Sequence, residues 1–249
     1  MANKNRFNQR KDSLMTLTQA KVTTVVVCAA VILSMLGITW WYMETMRQQI
    51  LENNALTSAR SYANTFESLR TFYTREVVAR VPRDSVTVSH NYKNIEHAIP
   101  LPATLTIQLA KEVGRRSDGF SVRLYSDHPF PWRTESGQQD DFEKRAIQKL
   151  AETPDEPYYE FEQAQDGGYL RYATADIMRP DCVACHNTHP ETPKKDWKVG
   201  DLRGVLEISM PMRTSMKTIM DTFDYLLVFF IIGGVIILTT VIWVLGEKK

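Results

Sequence analysis

The sequence has little of what marks the common enzyme classes. Only three cysteines and five histidines occur in 249 residues, and no Ser/His/Asp arrangement, phosphate-binding loop or second metal cluster is apparent. Charge is nearly balanced, because 30 basic residues oppose 29 acidic ones and give a formal net charge of +1. The two signs are mixed along the chain, so no basic tract indicates nucleic acid as a partner. We therefore expect a protein that is not an enzyme and does not bind nucleic acid.

Two of the three cysteines belong to the pentad Cys-Val-Ala-Cys-His at 182–186. C-x-x-C-H is the pattern for covalent attachment of a c-type haem. Cys182 and Cys185 can each add to one haem vinyl group, and His186 is then held beneath the iron as an axial ligand. The pentad therefore predicts one covalent haem c, with Cys182, Cys185 and His186 as cofactor-binding residues and His186 as the metal ligand.

Two other uses of a C-x-x-C pair are weaker interpretations. Four-coordinate zinc usually takes a second pair of ligands at some distance. The only other cysteine is Cys28, to which we assign no role, and His189 lies too close in sequence to be a comfortable partner. A thioredoxin-like redox pair belongs within a βαβ pattern, which the surrounding sequence does not show. Haem attachment is the favoured interpretation.

Two uncharged runs, 22–43 and 225–246, are each long enough to cross the hydrocarbon core of a bilayer. The first run is too long for the apolar part of a cleaved signal peptide, and no small-x-small cleavage site follows it. Tryptophan and tyrosine residues occur at the ends of the runs, where an interfacial aromatic belt is expected. The sequence therefore predicts two transmembrane helices.

Basic residues orient these two helices. They predominate in the tail 1–21, and Lys248 and Lys249 end the tail 247–249, so the positive-inside rule places both tails in the cytoplasm. Residues 44–224 then lie on the outer side. We predict a two-pass protein of a bacterial inner membrane whose single domain lies in the periplasm, the compartment where c-type haem is attached.

Residues 44–224 alternate between helical and strand periodicity. No proline or glycine interrupts 44–81, and Pro82 ends this predicted long helix. Its apolar residues recur at alternating steps of four and three, at Ala55, Ala59, Tyr62, Phe66, Leu69 and Tyr73. The further predicted elements are helices over 103–115 and 140–151, a strand around 120–124, a hairpin of 158–163 and 169–177 with an Asp166-Gly167-Gly168 turn, and a strand over 202–210. This order predicts an α+β domain with an antiparallel sheet, in which a haem-bearing loop interrupts the last two strands.

Segments on both sides of the pentad carry a resemblance to known proteins. They are Leu-Arg-Thr-Phe-Tyr at 69–73, Ala-Ile-Pro-Leu-Pro-Ala-Thr-Leu at 98–105, Gly-Tyr-Leu-Arg-Tyr at 168–172 and Lys-Asp-Trp-Lys-Val-Gly-Asp-Leu-Arg-Gly-Val at 195–205. With the pentad, they make residues 55–212 resemble the periplasmic c-type haem sensor domains with a PAS-like fold that bacterial signalling proteins carry. The resemblance implies a long N-terminal helix and a PAS-like antiparallel sheet domain between two transmembrane helices. It also implies haem attachment at Cys182 and Cys185, with His186 as the proximal ligand.

The second axial ligand of the haem is open. The resemblance implies a cysteine or methionine from the long helix, but residues 55–81 contain no cysteine, methionine or histidine. The alternatives are water, a vacant position, Tyr73, His90 or His97. Weaker interpretations are His128, His189 and Met178.

Residues that follow the pentad have two interpretations each. Lys194, Lys195 and Lys198 could pair with the haem propionates, although a short charge run is usually a solvated loop. Trp197 could pack on the porphyrin edge or close the core of the domain.

The resemblance implies a sensor, in which the redox state of the haem or a small gas alters the domain and the membrane helices. Expected partners, besides the membrane, are a second copy of the chain, a separate signalling or redox protein, and a diatomic gas. The alternative function is a membrane-tethered electron-transfer cytochrome c, for which we expect reversible low-spin redox chemistry without gas binding.

Overall fold

The computed structural model describes residues 2–82, 84–117, 119–163, 168–212 and 217–247. These residues form two compact units, one within Met1–Ile50 and Met216–Lys249 and the other within Leu51–Ser215. The pentad lies in the second unit. In chain order the helices and strands are α1 (Ala2–Tyr73), β1 (Thr87–Ser89), β2 (Ala98–Pro100), α2 (Pro102–Arg116), β3 (Ser121–Tyr125), α3 (Asp141–Glu152), β4 (Tyr158–Glu162), β5 (Tyr169–Ile177), α4 (Pro180–Thr188), β6 (Leu202–Pro211) and α5 (Lys217–Glu247).

Two of these helices are long and apolar enough to cross a membrane. The apolar stretches lie within Thr18–Val78 of the first helix and at Phe223–Leu245 of the last. The first contains the uncharged run 22–43, and the second contains residues 225–245 of the uncharged run 225–246. The basic residues Lys248 and Lys249, on which part of the predicted orientation depends, lie outside the described residues.

The second half of α1 presents one apolar stripe to the domain. Ala55, Ala59, Ala63 and Phe66 are buried at helical spacing. The sequence pattern places Tyr62 on this stripe, but Tyr62 is 41% exposed. The buried residues follow the 3.6-residue period of a straight helix. The predicted positions alternate in steps of four and three, a period of 3.5 residues, and therefore move gradually off the buried face.

The end of α1 is irregular. After Tyr73 the chain forms one π-helical turn, Thr74–Val78, and Pro82 follows shortly afterwards. A proline disfavours helical backbone in the residue before it, so the predicted end of the long helix near residue 81 agrees with the structure. No pattern in the sequence predicts that the last turn is π-helical and therefore wider than an α-helical turn.

Strands β3 to β6 form one antiparallel sheet in the spatial order β3-β6-β5-β4. The predicted hairpin is confirmed as β4 and β5, in which Tyr158 lies opposite Ala173. Its predicted turn includes Asp166 and Gly167, which lie outside the described residues. The last strand in the sequence, β6, is the one that lies between β3 and β5. The predicted α+β class with an antiparallel sheet is confirmed.

The sheet is covered on both faces. On one face Leu170, Tyr172, Leu206 and Ile208 form a core with the stripe of α1 and with Ala110 of α2. On the other face, Ala173 and Val205 pack against α3, whose contributing residues are Phe142, Ala146, Ile147 and Leu150. Neighbouring strand residues point to opposite faces, so one sheet supplies both cores.

The face that carries α3 also holds buried charges. Asp140 precedes α3, and its Oδ1 accepts a hydrogen bond from the backbone N–H of Glu143 at 2.9 Å. Arg171 donates to Oδ2 of Asp140 and to Oε1 of Glu207, at 2.8 Å in each case. The helix starts one residue later than predicted, because Asp140 is its cap and not its first residue.

Two features differ from the sequence-based expectation. The segment between the last two strands is not simply a loop, because the pentad lies on the nine-residue helix α4. None of the residues of α4 is fully buried, so it lacks the apolar periodicity that predicts a helix. A pair of three-residue parallel strands, β1 and β2, was also unpredicted, since three residues are too few to show alternation.

Candidate functional site

A cavity of about 560 Å³ lies in the second unit beside α4. Its wall combines residues from the end of α1, the π-helical turn, the start of α2, the ends of β3 and β5, α4, the start of β6 and a turn at Pro131–Ser136. Cavities of this size are typical of sites for small organic ligands and cofactors. The cavity contains all three residues of the predicted attachment site.

Helix α4 explains how these three residues come together. Pro180 starts the helix, where a missing backbone N–H leaves no hydrogen bond unmade. Residues spaced by three and four positions share one face of a helix. Cys182, Cys185 and His186 have this spacing and all line the cavity. Within the described residues no disulfide joins the cysteines.

His186 is held by a contact from β6. The Nε of Arg203 donates a hydrogen bond to Nδ1 of His186 at 3.2 Å. Burial, and then the nearby charge of Arg203, lower the pKa of His186 to about 4. The imidazole is therefore neutral at neutral pH, which is the form that coordinates a metal.

Ser126 fixes the position of the Arg203 side chain. The Ser126 Oγ accepts a hydrogen bond from Nη1 of Arg203 and donates one to the carbonyl oxygen of the same residue, both at 2.6 Å. Close packing at Gly204 supports this arrangement, because a Cβ at that position would collide with the backbone oxygen of Tyr125. The start of β6 thus presents Arg203 to the cavity from a rigid backbone.

Four arginine residues line the cavity, namely Arg70, Arg133, Arg179 and Arg203. Arg70 is 7% exposed and makes two hydrogen bonds with the carboxylate of Asp176, at 2.9 and 2.6 Å. This bidentate ion pair joins the end of α1 to the end of β5. Burial lowers the pKa of Arg133 to about 10 and also lowers the pKa of Arg203.

Aromatic rings form another part of the wall. The ring of Phe130 stacks on Trp132, with centroids 4.5 Å apart, and lies 5.4 Å from both His186 and His189. Trp132 in turn stacks on His90 at 4.2 Å with an interplanar angle of 9°. The stacked rings supply a flat apolar surface next to the pentad.

The chemistry of the wall fits a c-type haem. A haem is a large, flat and mostly apolar ring that carries carboxylate groups, and covalent attachment requires two thiols and a histidine. The cavity offers two cysteines, a neutral imidazole, aromatic rings and buried guanidinium groups. The nitrogen atoms Nε1 of Trp132 and Nη2 of Arg133 are also buried without a hydrogen-bond partner among the described residues. Polar atoms left in this way are expected where a ligand completes the site.

The candidates for the second axial position are distributed unevenly. Tyr73 is outside the cavity wall, since its hydroxyl donates to the carbonyl oxygen of Pro100 at 2.9 Å. The His97 side chain is 76% exposed and is also outside the wall. His90 reaches the wall only through its stack on Trp132. Met178 and His189 do line the cavity, and Met178 is 1% exposed.

Trp197 and the lysines near it are not part of the wall of the larger cavity. Trp197 is 4% exposed, its ring lies 4.5 Å from the Lys194 ammonium, and His128 meets it edge-on at 5.6 Å. A second cavity of about 280 Å³ contains these three residues. None of the lysines Lys194, Lys195 and Lys198 lines the larger cavity. The structure therefore favours the core interpretation of Trp197.

The sequence analysis missed Phe130, Trp132, Arg133 and Arg203. The first three lie in the segment Pro-Phe-Pro-Trp-Arg at 129–133, whose prolines disfavour both helix and strand. Two large aromatic residues in such a turn could have indicated a buried or ligand-binding position, because large aromatic residues are uncommon in exposed turns. Arg203 had no comparable signal, since it is one arginine within a predicted strand.

Comparison with known proteins yields one match. The model of a family described as Tll0287-like matches residues 47–211, about two thirds of the chain. The family consists of periplasmic haem-binding sensor domains. The matched range contains the pentad and every residue named above as lining the larger cavity. No match is found among curated proteins or among solved structures.

Proposed function

Since the chain belongs to the Tll0287-like family, we propose that it is a membrane-anchored monohaem cytochrome c that senses a small ligand or the redox state in the periplasm. One observation carries the proposal: a single cavity contains all the groups that a haem c needs. They are two thiols, a neutral imidazole, aromatic rings and cationic side chains. In line with the sequence analysis, we propose no enzymatic activity.

Each residue of the pentad has one role in the proposal. Cys182 and Cys185 would hold the haem through thioethers, and His186 would bind its iron. When bound, the haem supplies an iron centre whose oxidation state and second axial ligand can change. In this structure, hydrogen bonds between Ser126 and Arg203 and from Arg203 to His186 link β6 to α4.

The end of α1 supports a sensor with an exchangeable second ligand. This segment contributes Arg70, Thr74 and Val78 to the cavity wall. The Thr74 hydroxyl already donates to the carbonyl oxygen of Arg70 at 2.7 Å, and Arg70 pairs with Asp176. These side chains are poor iron ligands, so this part of the wall would leave the second position on the iron to water or a diatomic gas.

An electron carrier is the second candidate function. It is favoured by the stack of Trp132 on His90, because His90 is exposed and Trp132 lines the cavity. The two rings connect the cavity wall with the surface, which suits exchange of electrons with a partner protein. In this case we expect the haem iron to have two protein ligands and to bind no diatomic gas.

Absorption spectroscopy of the full-length protein, matured with haem c and purified in detergent, tests the proposal. We expect a c-type α-band in the pyridine haemochrome, and a ferrous spectrum that changes on addition of carbon monoxide or nitric oxide. The Cys182→Ala/Cys185→Ala variant should lose covalent haem, whereas Cys28→Ala, which changes the third cysteine, should retain it. A wild-type protein without the α-band overturns the haem assignment.

The two remaining ligand candidates in the wall provide the second test. Met178→Leu and His189→Gln should leave the rate of carbon monoxide binding to the ferrous protein close to that of wild type. Reversible low-spin spectra without any gas response in the wild type favour the electron carrier. Gas binding that appears only in one of these variants identifies that residue as the axial ligand and contradicts an exchangeable position.

A further inference from the structure

The charges of the larger cavity do not balance. Of its four arginine residues, Arg70 is neutralised by Asp176, and Arg179 lies 3.4 Å from the carboxylate of Glu67. Arg133 and Arg203 have no carboxylate within ion-pair distance among the residues that the structure describes. The exposed Asp181 also lines the cavity, but no ion pair joins it to either arginine, so two positive charges of the wall lack an ion-pair partner.

The environment of Arg133 makes this imbalance costly. Its Nη2 atom is fully buried and has no hydrogen-bond partner in the described part of the chain. Burial is the main reason that the pKa of Arg133 falls to about 10, the charges of Arg203 and Arg70 lower it further, and the Asp176 carboxylate offsets only part of this effect. A buried guanidinium without a partner destabilises a protein strongly, so the site has a strong preference for an anion.

Arg203 has only neutral partners. Its guanidinium bonds to Ser126 Oγ and to His186 Nδ1, and it lies 5.6 Å from the Phe130 ring and 5.4 Å from the Trp197 ring. These contacts satisfy part of its hydrogen-bonding capacity but supply no ion-pair partner, and the Asp176 carboxylate that acts on Arg203 is already paired with Arg70. Arginine is well suited to a carboxylate partner, because its planar fork can bind both oxygens.

We propose that Arg133 and Arg203 bind the two propionate groups of the haem, one guanidinium to each carboxylate. The proposal rests on the proposed haem function and extends it to residues outside the pentad. It matches the number of arginine residues without an ion-pair partner to the number of acidic groups on the cofactor. It also replaces the lysine interpretation of the sequence analysis, because Lys194, Lys195 and Lys198 are outside the wall of this cavity.

The hydrogen bond from Arg203 to His186 adds a consequence. A neutral imidazole that accepts a bond at Nδ1 carries its proton on Nε2. Metal-ligating histidines usually donate their second N–H to an acceptor, and a guanidinium has no acceptor to offer. For Nε2 to bind iron, the Nδ1 contact with Arg203 has to be given up. A carboxylate partner for Arg203 stabilises the side chain in that released position.

The test compares charge-removing variants of the haem-loaded, full-length protein. Arg133→Gln and Arg203→Gln should each lower the midpoint reduction potential, because a propionate without its counter-charge stabilises the ferric state. Arg133→Lys and Arg203→Lys retain the charge, so their midpoint potentials should be much closer to that of wild type than those of the glutamine variants. Arg179→Gln is the matched control, because this arginine lines the same cavity but pairs with Glu67 in a more exposed position, where solvent screens the charge, so its potential should shift less.

Thermal unfolding separates this role from a merely structural one. In a haem-free chain with the Cys182→Ala/Cys185→Ala background, Arg133→Gln should raise the unfolding temperature, because it removes an unpaired buried charge. In the haem-loaded chain the same substitution should lower it, because it removes the partner of a carboxylate. If Arg133 has only a structural role, Arg133→Gln changes the unfolding temperatures of the haem-free and haem-loaded chains in the same direction. That result overturns the proposal.

Failure of this proposal differs from failure of the haem assignment. If the wild-type haemochrome lacks the c-type band, the proposed function itself is wrong. If the band is present but the potentials of Arg133→Gln and Arg203→Gln equal that of Arg179→Gln, only the propionate assignment is wrong. Glutamine and lysine variants with equal shifts also refute it, since the charge is then irrelevant.

Discussion

Arg70 and Asp176 form the best-defined ion pair of the cavity wall, with side chains that are 8% and 15% exposed. We expect Arg70→Met to lower the free energy of unfolding by about 3 to 5 kcal/mol, because it leaves the Asp176 carboxylate without a partner in a largely buried site. Urea unfolding of the full-length protein, followed by tryptophan fluorescence, measures the loss.

A double variant serves as the control for this pair. Arg70→Met/Asp176→Leu removes both charges and should unfold at higher urea concentrations than Arg70→Met alone. If the double variant loses the sum of the two single losses, the residues are not coupled and the expectation is wrong.

At the same residue scale, the sequence reveals only the local part of the candidate site. Cys182, Cys185 and His186 are adjacent in the chain, so their spacing alone predicts their chemistry. Arg133 and Arg203 come from a turn and a strand that are distant in sequence, and only the fold places them in one cavity. Lys194 was the easier residue to suggest, because it lies near the pentad in sequence, yet it packs on Trp197 outside that cavity.

At the scale of elements, the helices and strands of the domain that the sequence predicts are those with residues in or packed against one of the two cores. The strands β3, β5 and β6 and the helices α2 and α3 each have residues in one of the two cores, so their apolar periodicity is visible in the sequence. Helix α4 has no fully buried residue, and the π-helical turn after α1 depends on packing that no local pattern encodes. Helix α4 and the π-helical turn both line the cavity, as expected where function rather than the core determines the residues.

The cap of α3 provides a prediction at this scale. Burial raises the pKa of Asp140, but the Glu143 backbone N–H and the Arg171 guanidinium outweigh burial and hold the pKa below its usual value. A carboxyl group with a depressed pKa stabilises the fold above the unfolded pKa of about 3.9, and the contribution is lost as the pH falls through the folded pKa. Asp140→Asn, which keeps a capping oxygen, should therefore be less stable than wild type at pH 7 and equally stable near the acid limit.

A second substitution separates the cap from the charge. Asp140→Ala removes the capping oxygen as well and should cost about 1 kcal/mol more than Asp140→Asn at pH 7. Unfolding free energies measured across acid and neutral pH give both comparisons. A stability gap between wild type and Asp140→Asn that does not change with pH refutes the assignment of the charge.

At the scale of the whole molecule, composition reveals the two apolar helices, and basic residues predict their orientation. We expect alkaline phosphatase fused after Met212 to be active in a bacterial host, because that position is predicted to be periplasmic. The same enzyme fused after Glu247 should be inactive, whereas a fluorescent protein fused there should fold in the cytoplasm. The opposite pattern of activities contradicts the predicted orientation and the periplasmic haem site together.

The position of β6 also determines the order in which the protein can be made. This strand is the last of the domain to be synthesised, yet it pairs with both β3 and β5 and contributes Arg203 and Gly204 to the cavity wall. Synthesis proceeds from the N-terminus, so the two cysteines of α4 emerge before the strand that completes the sheet. We therefore expect the thiols to be accessible on an incomplete domain, which would give a haem-attachment machinery a period in which to act before β6 closes the wall around them.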